Sequence, residues 1–222
     1  MSVKEKKELE KAQNSREVKG MLHDARVLFI ITLIAGIILG FVYQITKEPI
    51  AEQQEKAKME ACRIVFSDAD SFEEMPELSL EEADAYLKEA GYEKQSLSDV
   101  VRKAVDQNGQ LLGYVLTVTT SEGYGGDIVF SMGIRMDGTL NGISLLSISE
   151  TPGLGMKAES ELQPQFADKN VTKFEYTKSG AVSDSQIDAI SGATITTNAL
   201  ANGVNAGLDY FHNVLKEGGE NE

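Results

Sequence analysis

The stretch "DIVFSMGIRMDGTLNGISLLSIS", Asp127 to Ser149, decides the fold class. Ile128, Phe130, Met132, Ile134 and Met136 alternate with Val129, Ser131, Gly133 and Arg135. That period of two gives a strand one packed face and one wetter face. Asp137-Gly138 then interrupts the run, and a second apolar segment follows from Thr139. An Asp-Gly pair between two such segments favours a tight hairpin. Upstream, "DVVRKAVD" and "QLLGYVLTVTT" flank Asn108-Gly109 in the same way. Two hairpins predict an antiparallel sheet with flanking helices, hence an α+β domain.

The flanking helices are legible on both sides. In "TTNALANGVNAGLDYFHNVLKE", Leu200, Val204, Leu208, Phe211 and Leu215 recur close to a 3.6-residue period and form one apolar stripe. Ahead of the sheet, Ser79 and Glu82 make a capping box for "LEEADAYLKEAG", and Gly91 supplies the stop. Residues 67–78, "SDADSFEEMPEL", are acidic and turn-rich; they read as a solvated linker and lack the spacing of a calcium loop.

Further upstream, "VLFIITLIAGIILGFVY" from Val27 to Tyr43 carries no charge, and with Gln44 and Ile45 it approaches the roughly 20 residues a bilayer requires. It is apolar on every face, which separates it from a surface helix. The following "YQITKEP" has no small-x-small cleavage pattern, which disfavours a removed signal peptide. Residues 46–66 have helical composition and read as a stalk prolonging the span, with Ile50, Ala57, Ala61 and Ile64 on the inward face. The expected organisation is a cytoplasmic segment 1–26, a transmembrane helix 27–45, the stalk 46–66 and an extracytoplasmic domain 67–222.

Charge orients that organisation. Lys4, Lys6, Lys7, Lys11, Arg16, Lys19 and Arg26 precede the span, so the N-terminus is expected in the cytoplasm of a single-pass plasma (inner) membrane protein. Residues 47–222 hold fourteen Lys/Arg against thirty Asp/Glu. So acidic a domain offers no footprint for nucleic acid, whose phosphates require clustered basic residues. Cys62 is alone and reads as a helix-packing residue, and His23 and His212 are too far apart in sequence to suggest a metal set. No serine sits in a nucleophile elbow, which leaves an anchored hydrolase without support.

Three clusters remain. "SGATITTNAL", Ser191 to Leu200, crowds Thr194, Thr196 and Thr197 at the entrance of the last helix, with Gly192 and Ala193 keeping the turn free of bulk. Hydroxyls there cap a helix, and unpaired N–H groups with the positive dipole end also receive anions. "GYGGD", Gly123 to Asp127, enters the second hairpin and "SETPGLGMK", Ser149 to Lys157, leaves it. Glycines at that density make sharp turns or admit close approach. On the residues alone both readings of each cluster stay open, including a non-redox, membrane-anchored assembly domain.

Together, "DAISGATITTNAL", "ETPGLG" and "GYGGDI" behind one membrane span resemble the FMN-binding G subunits of Rnf electron-transport complexes, and the related C subunits of sodium-pumping NADH:quinone reductases. The resemblance runs from the span through the final helix, and the modest chain length leans to the Rnf side. It implies FMN joined through its phosphate to Thr194 by a separate flavin transferase. Ser191, Gly192 and Ala193 leave room for the phosphate, Thr196 and Thr197 cap the helix or bond that phosphate, and Asp188 completes the attachment motif. Glu150, Thr151, Gly153, Leu154 and Gly155, with Gly125 and Gly126, are candidates to line the ring. The implied activity is electron relay, with other membrane subunits as partners, in a complex coupling ferredoxin and NAD to Na⁺ or H⁺ export. Relatives often carry histidine where this chain has Ile148.

Overall fold

The computed structural model describes residues 3–216, with side chains from Lys19 onward. The basic residues Lys4, Lys6, Lys7, Lys11 and Arg16 therefore lie outside the described side chains. The chain divides into two units, residues 1–54 and 55–222. The first is one stretch of α1 (Val3–Val65), and its apolar run is exposed along its whole length. By length and composition that run is able to cross a membrane.

The second unit is built on a six-stranded antiparallel sheet. Strands β1 (Ser71–Glu74), β3 (Arg102–Val105), β4 (Leu111–Thr120), β5 (Ile128–Arg135) and β6 (Leu140–Ser147) follow one another across it, and β2 (Gln95–Leu97) also pairs with β4. Both expected hairpins form. Gly109 and Gly138 adopt positive φ (77° and 92°) in their turns. Asp106 Oδ1 accepts from the N–H groups of Asn108 and Gln110, both at 2.8 Å, and Asp137 Oδ1 from that of Thr139 at 2.9 Å. Those carboxylates complete the turns and are held below the usual range, the bonds from Gln110 and Thr139 contributing most.

One face of the sheet is covered by α3 (Thr194–Tyr210) and its continuation to Leu215. Leu200, Val204, Leu208, Phe211 and Leu215 are all buried, as the stripe predicts. The approach is close: a Cβ on Gly203 would lie 2.9 Å from the Phe130 ring, and one on Gly207 would run into Met132. Helix α2 (Leu80–Glu89) starts as expected, Ser79 Oγ accepting from the Glu82 N–H at 3.4 Å. Tyr86 donates from its hydroxyl to Asp209 Oδ2 at 2.8 Å, joining α2 to α3; burial and that carboxylate push the phenol up to about 12.

Three expectations need correction. The face of β5 carrying Ser131 and Gly133 is dry, because the end of α1 covers it: a Cβ on Gly133 would lie 2.9 Å from Phe66 and Val65. The inward face of that helix end is Ala61, Cys62 and Val65, followed by Phe66, whereas Ile50, Ala57 and Ile64 are exposed. Of the expected stripe Ala61 is buried, and the packed face is otherwise shifted in phase from it. Cys62 packs there as expected, and burial pushes its thiol up. The acidic linker contains a strand: β1 pairs with β3 at the sheet edge, where Glu73 and Glu74 stay solvated while Phe72 packs beneath. Beyond β6 the chain keeps some regular structure. Gly155–Phe166 winds as short irregular helical turns, and β7 (Glu175–Thr177) pairs in parallel with β8 (Gln186–Asp188).

Candidate functional site

The three clusters converge at the start of α3. They wall a cavity of about 500 Å³. The helix entrance contributes Gly192, Ala193, Thr194, Ile195 and Thr196; the loop after β6 contributes Glu150, Thr151, Leu154 and Gly155; the loop before β5 contributes Tyr124. Eight of these ten are among the residues expected from sequence. Tyr124 and Ile195 are additions, 71% and 53% exposed, and they give the cavity an apolar rim. An aromatic side chain flanked by glycines was the available signal for Tyr124. Ile195 follows from adjacency to Thr194 alone.

The remaining expected residues stand behind the wall. Ser191, Gly125, Gly126 and Gly153 shape the loops without lining the cavity. Gly126, Gly153 and Gly192 occupy positive φ (135°, 77° and 79°), so the turns themselves demand glycine. Gly125 serves close approach, since a Cβ there would collide with the Ser149 carbonyl. Thr197 is fully buried, its Oγ1 accepting from the Ile190 N–H at 3.2 Å and donating to the Ala193 carbonyl at 3.0 Å. It knits the approach loop to the helix and points no group at the cavity. Asp188 lies outside the lining too: its Oδ1 accepts from the Ala181 N–H at 2.7 Å, and Gln165 brackets its backbone N–H and C=O at 2.6 and 3.2 Å. Ile148 is half-buried and packs on the core.

The helix entrance is uncapped. Ala193 holds the N-cap position, φ −130° and ψ 44°, with no side-chain cap. The Thr197 N–H bonds the Ala193 carbonyl, but among the described residues no protein group accepts from the N–H of Thr194, Ile195 or Thr196. Three free donors at the positive end of a long helix, beside a half-buried hydroxyl on Thr194, form an anion cradle. A phosphoester fits there: it keeps one negative charge to meet the donors, and the apolar rim above suits a fused aromatic ring.

Comparison with known proteins agrees with this geometry. The FMN-binding domain family matches residues 123–209, a stretch that contains every residue lining the cavity, and the RnfG N-terminal region matches residues 14–63. The G subunit of the Na⁺-translocating ferredoxin:NAD⁺ oxidoreductase complex of Acetobacterium woodii is 30% identical over 194 residues, 86% of this chain and 91% of that protein. The chain belongs to the family of Rnf-complex G subunits. A second G subunit, from the proton-translocating complex of Clostridium ljungdahlii, is also 30% identical, over 82% of this chain and 86% of that one. The two G subunits share the same percentage identity with this chain although their complexes are named for different ions. The crystal structure of Shewanella oneidensis NqrC is 20% identical, with a TM-score of 0.43, over 51% of this chain and 57% of that chain. Between them, the two family matches take in the apolar helix and the part of the domain, residues 123–209, that carries the cavity.

Proposed function

We propose that this chain is the electron-relay subunit of an ion-translocating ferredoxin:NAD⁺ oxidoreductase, and that it carries FMN in the cavity through a phosphoester to Thr194. The observation that carries the reading is the placement of Thr194: first residue of α3, on the cavity wall, beside three unpaired N–H groups, inside the stretch matched by the FMN-binding domain. FMN supplies the redox chemistry when bound. The chain's own residues do the rest. The N–H groups of Thr194 to Thr196 neutralise the phosphoester, Gly192 and Ala193 keep its approach open, and Tyr124, Leu154 and Ile195 shield the ring from water. The cavity has no histidine or cysteine, so its residues hold and tune the ring without serving as nucleophile or imidazole base.

The apolar helix anchors the domain in the membrane, where the other subunits of the complex supply and withdraw electrons. We place the N-terminus in the cytoplasm, the domain outside, and attachment under a flavin transferase, with Asp188 shaping the loop that the transferase meets. Catalysis belongs to the complex; this chain alone relays.

Co-expression with a flavin transferase tests the tether. The wild-type chain is expected to fluoresce in a denaturing gel and Thr194→Ala to be dark, while circular dichroism of the two stays the same. A flavin-bearing peptide that maps to Thr196 or Thr197 would sink the assignment. For topology, a cysteine placed at Val182, 89% exposed, should react with an impermeant maleimide in intact cells; reaction only after lysis reverses the orientation.

A further inference from the structure

We infer that Glu150 is a positioning residue whose buried carboxylate holds the two glycine loops together at the cavity wall, and whose charge lowers the reduction potential of the flavin bound there. The second half rests on the FMN reading above; the first does not.

Glu150 is 6% exposed and lines the cavity. Its Oε1 accepts from the Gly125 N–H at 3.3 Å. A Cβ on Gly123 would lie 2.8 Å from the same oxygen, and one on Gly155 would lie 2.8 Å from Oε2 and 2.7 Å from the Glu150 Cβ. Neither Gly123 nor Gly155 has a positive φ. The Gly126 carbonyl is the nearest obstacle at Gly123 and Thr196 Oγ1 the nearest at Gly155, and at both places the Glu150 side chain is packed in beside it. The same position on Gly155 lies 2.6 Å from Thr196 Oγ1, so the contact extends to the first turn of α3. The Glu150 side chain therefore ties the loop before β5 to the loop after β6, and Gly155 seats that second loop against α3.

A glutamine would fill that space and still accept from the Gly125 N–H. What the carboxylate adds is charge. Among the described residues no Lys, Arg or His forms an ion pair with it. A carboxylate charge on the cavity wall without a side-chain counter-charge acts on a ring held in that cavity over several ångströms. Each reduction step adds one electron to the flavin, and that electron is repelled by the anion. No bond to Glu150 is made or broken.

The test uses the full-length chain after co-expression with a flavin transferase. Mass spectrometry first establishes flavin on Thr194 in wild type and in Glu150→Gln. A dithionite titration of the two is then expected to show the glutamine variant easier to reduce, on the order of tenfold in the reduction equilibrium constant. An unchanged potential in the loaded variant overturns the charge role. The strut is tested without flavin, in a Thr194→Ala background: Glu150→Ala should accelerate hydrogen exchange across residues 123–127, and Glu150→Gln should not. Equal protection in the alanine variant overturns the strut. A wild-type chain that takes no flavin at Thr194 refutes the cofactor reading instead, and the exchange measurement still decides the strut.

Discussion

Two helix ends meet the same sheet and are finished in opposite ways. At the C-terminus of α1 the Val65 carbonyl accepts from Asn141 Nδ2 at 2.8 Å, and the Arg135 guanidinium lies 5.5 Å above the Phe66 ring while bonding Asn141 and Asp68. Lys58, Asp99, Arg102 and Glu74 close the flank with ion pairs of 2.7 to 3.3 Å. At the N-terminus of α3 three N–H groups have no protein partner, and a carboxylate stands nearby without a cation. The same chain caps one end with side chains and leaves the other open beside a cavity. The first N–H groups of a helix are satisfied by side chains, water or a ligand, and here no side chain competes with a ligand for them.

The largest expected effect lies at the closed end. Phe66 is fully buried and packs against Gly113 and Gly133, so Phe66→Ala should cost about 3–5 kcal/mol, read by chemical denaturation of the full-length chain in micelles. A loss below about 1 kcal/mol would mean the helix end rests loosely on the sheet. Flavin attachment, measured below the melting transition, should be retained.

Asp99 comes next. Arg102 is 3% exposed, so Asp99→Asn leaves a buried guanidinium short of charge and should cost about 3 kcal/mol. Burial pushes the Asp99 carboxyl up, but Arg102, by hydrogen bond and charge, and Lys58 outweigh it and hold the group below the usual range. The unfolded chain therefore takes up this proton at a higher pH than the folded one. The stabilisation is whole above about pH 4 and is lost as pH falls through the folded value. The asparagine variant should show a shallower acid-side decline, and an unchanged slope would remove Asp99 from the closed set.

What the sequence revealed follows the same division. The Asp-Gly and Asn-Gly turns, the stripe of α3 and the apolar run are local signals, and each appears where its residues predict. The closed end was illegible because it is assembled at long range. Phe66 meets Gly133 across 67 positions, and β1 becomes a strand only because Arg102–Val105 lies beside it. At the open end the lining was legible as three glycine and hydroxyl clusters. The functions of Thr197 and Asp188 were not, since their side chains spend their bonds on Ile190, Ala193 and Ala181.

Gly155→Ala brings the test to the open end. The added methyl meets Thr196 and Glu150 closer than van der Waals contact allows, so one wall must shift, costing about 1–3 kcal/mol. Flavin loading should fall much further than stability does, by in-gel fluorescence at equal protein. Loading that tracks the stability loss would mean the cavity is ordinary packing.

The smallest effect on stability is expected at Ile195, and it sharpens the comparison most. The side chain is 53% exposed on the first turn of α3 and lines the cavity without belonging to the core. Ile195→Ser removes little buried surface and keeps a residue compatible with a helix start, so stability should stay within about 0.5 kcal/mol. The covalent link at Thr194 should form as before, because the proposed phosphoester would rest on backbone donors that the substitution leaves in place. The apolar rim is what changes. If Ile195 shields the ring, the tethered flavin of the serine variant should be quenched more steeply by iodide than that of the wild type. Identical quenching would move the ring away from this side of the cavity, toward Tyr124 and Leu154. Phe66 and Ile195 are both large apolar residues at helix ends, and by this reasoning the first supports the fold while the second serves the ligand.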